Sequence, residues 1–295
     1  MKNHPKMKLM PYMLILPTLL MLGGIFLYPI IIAIRLSLYD APLPSLLGAK
    51  YIGFQNYWNI LLDSSFWNSV KLTLIYTVFT VGGAYLIGLY LAYLLNNNFK
   101  GRFLARGILI IPWALPDLAA VLVWGWMFDP QYGILNYFLG SLGIVKQNFL
   151  WLSNPDMVMV SILLVTIWKW FPFSSLMLLA GFQSIPQELY EAANIDGANR
   201  VQSFRYVTLP GLSNVSKILL LLLSIWSFGN FVLIYLFTGG GPSRATETLA
   251  IQVYLDAFLF NKVGRACALG IILLLIAVIF TIFYFKFVLK EEPSE

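Results

Sequence analysis

Two ionisable side chains, Asp117 and Lys169, sit inside long apolar runs, and two further carboxylates, Glu188 and Glu191, fall in a polar stretch between such runs. A charge held in lipid is costly unless it faces a cavity or an opposite charge, so Lys169 and Asp117 are candidates for a solute path. The same inventory speaks against catalysis. With one cysteine, Cys267, and one histidine, His4, a disulfide framework, a Cys/His metal site and a histidine-based triad are excluded by count. No segment matches the phosphate-cradling G-x-x-x-x-G-K-[ST] loop, so nucleotide energy must come from another polypeptide. Nor can the nucleophile, base and acid of an intramembrane enzyme be assembled from scattered carboxylates.

The elements that position these groups must be membrane helices. Of 295 residues, 59% are hydrophobic and 11% charged, whereas a soluble domain needs about a quarter of its residues charged. The net charge of +6 lies in short clusters between apolar runs, which suits loops beside a bilayer and argues against nucleic-acid binding. Stretches of about 20 apolar residues fall near 12–34, 70–94, 107–128, 157–180, 212–237 and 266–289. None alternates as a barrel strand would, so the expected fold is an all-α polytopic membrane protein with six transmembrane helices in a single domain, 1–295. The first run follows Lys2, Lys6 and Lys8 like a signal peptide, but its length and lack of a small-residue cleavage pattern predict an uncleaved helix.

Basic residues orient the chain. Lys2, Lys6, Lys8, Lys100, Arg102, Arg106, Arg200, Arg205, Lys217, Lys286 and Lys290 fall on one side, and Lys50, Lys146, Arg244 and Lys262 on the other, which predicts both termini in the cytoplasm. Arg35, Lys71 and Arg265 lie at outer span ends, where long side chains can snorkel. Aromatics such as Tyr51, Phe54, Tyr57, Trp58, Trp126, Phe128 and Tyr132 mark the outer interface, either as a belt at headgroup level or as a partner surface.

The loop between the fourth and fifth spans, 183–211, is more detailed than a connection requires. Ser184 followed by Gln187 forms a capping-box start, Pro186 pre-sets an early helical φ, and Gly197 supplies a stop. Between them Leu189, Ala192 and Ala193 share a helical face, while Glu188 and Glu191 bring negative charge toward the amino end. A second short helix ends at Pro210. Alanines admit a close partner backbone and the glutamates offer charge-assisted pairing to arginines, as in a knob seated in a protein groove. The alternative is an amphipathic helix on the inner leaflet, which acidic residues and alanines suit poorly.

The segment Glu191-Ala192-Ala193, three residues, Gly197, nine residues, then Val207-x-Leu209-Pro210 resembles the EAA-loop signature of binding-protein-dependent ABC import permeases, with valine for the usual isoleucine. Further segments resemble the carbohydrate branch, and the larger permease of maltose-type transporters within it. They are Tyr51-x-Gly53-Phe54-x-Asn56-Tyr57, Gly133-x-Leu135-Asn136, Phe228-x-Asn230-Phe231, Gly239-Gly240-Gly241-Pro242 and Ala257-Phe258. The resemblance implies a cytoplasmic coupling helix between helices 4 and 5, with Glu188, Glu191, Ala192, Ala193 and Gly197 seated in a groove of an ATPase. It also implies a second homologous permease subunit, two ATPase subunits carrying ATP and Mg, an external solute-binding protein and a place in the cytoplasmic (inner) membrane of a bacterium or archaeon. No cofactor is expected in this chain. The chain departs from the maltose-type subunit in lacking two leading spans and a large external insertion, so contacts to the binding protein are expected on its short outer loops, most of all 239–262.

For the solute path, Lys169 lies in Thr166-Ile-Trp168-Lys169-Trp170-Phe171-Pro172-Phe173, where the proline is expected to break the helical ladder and free backbone groups to line a site. Indole rings beside hydrogen-bonding groups suit a sugar, which offers flat C–H faces and hydroxyls. The resemblance places the mid-membrane substrate at Thr166, Lys169, Trp170, Phe173, Trp226, Ser227 and Asn230. Lys169 either serves that path, snorkels, or pairs with Asp117 across helices, and Trp226 either lines the path or packs. A lysine there also admits an anionic solute such as a glycerol phosphate ester beside the neutral mono- or oligosaccharide that the resemblance implies. A self-sufficient secondary transporter would show paired broken-helix repeats or a coupling-ion site of several carboxylates, and neither is evident in the sequence.

Overall fold

The computed structural model describes residues 6–42, 48–146 and 148–288. Lys2, His4, Lys290 and the end of the sixth predicted run lie outside them. Helices dominate, as the absence of water in a bilayer requires of any spanning backbone. Among the described residues four are long and apolar enough to cross a membrane, and two bent pairs, Arg102–Ala114 with Asp117–Met127 and Arg200–Gly211 with Ser213–Phe228, bring the number to as many as six.

The chain divides into two compact units, 1–66 with 252–274 and 67–251 with 275–295. In the first, α1 (Lys6–Leu22) passes through a π turn at Gly23–Leu27 into α2 (Tyr28–Ser37), together a continuous apolar rod. Beyond it β1 (Tyr39–Asp40) pairs antiparallel with β2 (Lys50–Tyr51), a minimal ladder that adds strand to an expected all-α chain. Its Tyr39 and Tyr51 rings meet edge to face at 5.4 Å. The segment from Tyr51 to Tyr57 secures the end of α2. Gly53 turns with φ +59°, and α3 (Gln55–Leu62) follows. There Asn56 donates from Nδ2 to the carbonyls of Ser37 at 2.8 Å and Tyr39 at 3.0 Å, and the Tyr57 and Ser37 hydroxyls lie 2.7 Å apart.

Arg265 does not snorkel. It pairs with Asp63 at 2.6 Å and reaches Asp256, 3.5 Å away and 3% exposed, because two carboxylates satisfy a guanidinium better than a distant headgroup layer. Burial alone would raise the Asp63 pKa, but hydrogen bonds from Ser65 and the Arg265 charge outweigh it and hold the carboxyl below its usual range.

The second unit is built on α4 (Ser64–Asn96), α9 (Val158–Ser184) and α13 (Ser213–Phe228). Apolar side chains gain little by leaving lipid for one another, so helices associate where small residues let backbones approach. On α4 such residues recur every fourth position at Thr80, Ala84, Gly88 and Ala92, all buried. The approach is close enough that Ser175 Oγ donates to the Gly88 carbonyl at 3.1 Å. Gly181 of α9 plays the same part toward Leu212 and Val215. Ala84, Leu178, Phe182, Leu212, Leu219 and Leu223 join the three helices into one core.

Two predicted runs are divided. The run at 107–128 becomes α5 (Arg102–Leu109), α6 (Ile111–Ala114) and α7 (Asp117–Met127), bent by 95°. Pro116 causes the break by lacking an N–H and by forcing Leu115 into an extended conformation, ψ 136°. The run at 212–237 divides into α13 and α14 (Val232–Thr238) across Gly229-Asn230-Phe231. Pro172, by contrast, removes one rung from α9 without breaking it, since the helix is gripped by neighbours on both sides of that point.

After α7, α8 (Ile134–Ser141) starts at Gly133, where a Cβ would strike the Met127 and Asp129 carbonyls. Asn136 there donates to Pro130 and Phe149 carbonyls and accepts from Trp151. The triple-glycine turn has φ +59° at Gly239 and +98° at Gly240. It leads to α15 (Leu249–Tyr254), a π turn at Leu255–Leu259 that holds Ala257 and Phe258, and α16 (Val263–Phe287).

Candidate functional site

The sequence-selected residues fall into two groups, one beyond the end of α9 and one around its middle. The first follows its end. Ser184 belongs to the last turn of α9, where its hydroxyl donates back to the Gly181 carbonyl at 2.8 Å, so it caps no new helix. Pro186, extended at ψ 134°, opens α10 (Gln187–Ile195) in its place. The reciprocal capping box sits one helix later: Gln202 N donates to Asn199 Oδ1 at 2.9 Å and Asn199 N to Gln202 Oε1 at 2.8 Å, opening α11 (Arg200–Ser203). From there a π turn at Phe204–Thr208 runs through Pro210 to the end of α12 (Leu209–Gly211), beyond the stop expected at Pro210. A proline tolerated in the first turn of a helical segment cannot end it.

The spacing of Ala193 and Gly197 has a geometric reason. The Ala198 amide donates to the Ala193 carbonyl at 2.9 Å and the Gly197 amide to the Asn194 carbonyl at 3.1 Å, with Gly197 left-handed at φ +80°. This is a Schellman closure, which satisfies the last carbonyls of α10 and wants glycine at its left-handed position. Glu188, Glu191 and Ala192 are exposed and Ala193 is half-buried, while Leu189 and Ile195 stand apolar in the open. The Tyr190 hydroxyl meets Thr208 Oγ1 at 3.0 Å and fixes α10 against the following turn. A short, rigid, acidic and apolar helix is thereby presented outward.

In the second group Thr166, Lys169, Trp170 and Phe173 lie on α9, Trp226 and Ser227 on α13, and Asn230 in the turn after it. Lys169 is 8% exposed. Its Nζ stands 3.1 Å from Asp117 Oδ1 and donates to the carbonyl of Leu115. The lysine therefore neutralises Asp117 at the start of α7 and satisfies a carbonyl beside the 95° break. Around it Trp226 packs against Phe173 at 5.1 Å and Trp170 at 6.2 Å, and Trp113 stacks on Phe173 at 5.7 Å. Trp226 and Trp113 each leave about two-fifths of their surface open, at 41% and 44%. Thr166, fully buried, accepts from the Tyr76 hydroxyl at 3.1 Å. Ser227 is buried at the end of α13, and the Asn230 amide turns back to its carbonyl at 3.2 Å.

Trp170, Phe173 and Trp226 thus come together, Lys169 joins them through the α6–α7 break, and Thr166 faces α4. Sequence reasoning missed Trp113, Leu115 and Tyr76. The segment Leu115-Pro116-Asp117, a proline followed by a first-turn acid, was the available signal for the break. A groove of about 1050 Å³ lies on another face of α9, lined by Leu164, Ile167, Trp168 and Phe171. Among the described residues no three His, Cys, Asp or Glu side chains gather as metal ligands would.

Residues 84–290 match the family model of the binding-protein-dependent transport system inner membrane component. The chain is 37% identical over 270 residues to the inner membrane ABC transporter permease protein YcjO of Escherichia coli strain K12, covering 90% of each. It is 34% identical over 275 residues to the trehalose/maltose transport system permease protein MalF of Thermococcus litoralis, covering 93% of this chain and 92% of that one. It is also similar in fold to a subunit of a bacterial ABC transporter involved in import of the acidic polysaccharide alginate. That match has a TM-score of 0.81 at 23% identity, over 95% of this chain and 94% of the other. The outward helix closed at Gly197 and the multi-helix apolar frame behind it are therefore those of a transport component, and the chain belongs to the inner membrane permeases of binding-protein-dependent ABC transport systems.

Proposed function

We propose that this chain is the permease subunit of an ATP-driven importer that moves a sugar, mono- or oligosaccharide, from an external solute-binding protein into the cytoplasm. The observation that carries the reading is the connection through α9. Its middle bears Trp170 and Phe173, which pack on Trp226 of α13, and its end leads through Ile185 and Pro186 into the exposed, Schellman-closed α10. From Lys169 to Ser184 is about 22 Å of helix at 1.5 Å per residue, enough to link a mid-membrane site to a cytoplasmic one.

In this reading the divided runs at 107–128 and 212–237 complete six spans, both termini and the 183–211 loop are cytoplasmic, and residues 1–295 act as one permease domain. Glu188, Glu191, Ala192, Ala193 and Gly197 dock the ATPase. Thr166, Lys169, Trp170, Phe173, Trp226, Ser227 and Asn230 line half of the path, and a second permease supplies the rest. ATP and Mg belong to two ATPase subunits, and this chain carries no cofactor. A neutral sugar is favoured over a phosphate ester because Asp117 already neutralises Lys169, so the face offers rings and hydroxyls without a net positive charge. The trehalose/maltose relative supports the same substrate class.

The deciding measurement is uptake in proteoliposomes. Import of the ligand that co-purifies with the cognate binding protein should require added ATPase and ATP. Uptake driven by an ion gradient with this chain alone would overturn the reading.

A further inference from the structure

Beside the coupling loop, α4 and α11 enclose a second groove of about 370 Å³ that the transport reading leaves unused. Leu86 and Leu89 of α4 line it with Val201 and Phe204 from the loop side, and Tyr93 and Arg200 supply polar ends. Tyr93 is fixed there by edge contact with Phe204 at 5.9 Å. Arg102 and Arg106 both bond within the chain, to Asn98 and to the Leu95 carbonyl. Arg200 has no side-chain partner among the described residues, and no carboxylate lines the groove.

We infer that this groove binds one anionic phospholipid, with its phosphate on Arg200 and an acyl chain along Leu86, Leu89 and Val201. The inference rests on the proposed cytoplasmic placement of the loop, which makes the occupant a lipid of the inner leaflet. Two observations select it. Tyr93 lies three residues from the end of α4 and Leu86 ten, depths of about 4.5 and 15 Å at 1.5 Å per residue. The polar-to-apolar order of the groove therefore follows that of a lipid entering from the headgroup layer. Guanidinium is suited to bidentate phosphate binding and lacks a competing carboxylate. Because Arg200 is the first residue of α11, immediately after the Asn199 cap, lipid binding steadies the loop that carries α10.

The test uses the assembled importer in nanodiscs of phosphatidylcholine with and without phosphatidylglycerol, read by native mass spectrometry. Phosphatidylglycerol should be retained over phosphatidylcholine. Arg200→Gln should lower that retention about fivefold, the share expected of one basic side chain at a membrane surface, and Leu89→Trp should abolish retention by filling the groove. Both variants should still co-purify with the ATPase in detergent. Equal retention of the two lipids, or unchanged retention in Arg200→Gln, overturns the proposal. So does lost ATPase co-purification in Arg200→Gln, which would place the arginine in a protein interface. The topology is checked separately: in a Cys267→Ser background, Ser203→Cys should resist an impermeant thiol reagent in right-side-out vesicles. Labelling there would overturn the cytoplasmic loop itself, independently of the lipid preference.

Discussion

Lys169 Nζ lies 3.1 Å from Asp117 Oδ1 while donating to the Leu115 carbonyl, so one side chain joins α9 to both sides of the 95° break between α6 and α7. The pair is unequal, with the lysine side chain 10% exposed and the aspartate 37%. Lys169→Met should destabilise the chain by ~1–3 kcal/mol, less than loss of a fully buried partner because water still reaches Asp117. The double variant Lys169→Met/Asp117→Leu should recover part of that loss. Thermal unfolding in detergent of the two single variants and the double closes the cycle, and strict additivity would mean the pair is not coupled.

Gly197 stands at φ +80°. Gly197→Val should strain the closure of α10 by ~1–2 kcal/mol and reorient its exposed face, giving ATP hydrolysis without uptake. Gly197→Asn should retain most import because asparagine tolerates the left-handed region. Parallel assays of hydrolysis and uptake separate the two variants, and equal behaviour would count against the turn as the cause.

Gly88 and Gly82 offer a contrast on one helix. A Cβ at Gly88 would meet Ser174 Cβ at 2.5 Å, whereas one at Gly82 meets nothing within 4 Å. Gly88→Val should therefore prise α4 from α9 and abolish detergent-stable expression, while Gly82→Ala should raise helix stability by ~1 kcal/mol. Size-exclusion profiles of solubilised protein distinguish them.

Trp226 touches Phe173 and Trp170 yet stays 41% exposed. Trp226→Ala should weaken solute passage by about three- to tenfold, as expected for a lost aromatic face of ~0.5–1.5 kcal/mol, with ATPase co-purification intact. Trp226→Phe should restore much of it. Loss of assembly in Trp226→Ala would assign the ring to packing.

Asp63 gives a pH signature. Its folded pKa is depressed by Ser65 and Arg265 against the effect of burial, so its stabilisation is complete above the unfolded value of about 3.9 and is lost as pH falls through the folded one. The difference in melting temperature between the unaltered chain and Asp63→Asn should hold steady from pH 7 to about pH 5 and shrink below about pH 4. A difference that grows on acidification would contradict the ion pair.

Much of the local chemistry was legible from spacing. Gly197 as a helix stop and the apolar runs follow from rules that act within a few residues, whereas Asn56 and Asn136, quoted only for the family resemblance, bond to carbonyls up to 19 and 13 positions away. Ser184 as a cap and Pro172 as a break were misread for a common reason. Whether a serine caps or back-bonds, and whether a proline interrupts or is carried, depends on how far the neighbouring helices hold the backbone. Ser184 is claimed by α9, and Pro172 is buried within it between Trp170 and Phe173, which pack on the core of α4, α9 and α13.

By itself the sequence determined the solvent and the helical class, because bilayer-length apolar runs have few physical solutions, and through the Glu191-to-Pro210 segment it carried the family resemblance. Only the tertiary structure decided that Lys169 is neutralised by Asp117 and that Trp113 joins the aromatic face. Those outcomes rest on which residues more than 50 positions apart come within 3 to 6 Å, and nothing in local spacing sets such a distance.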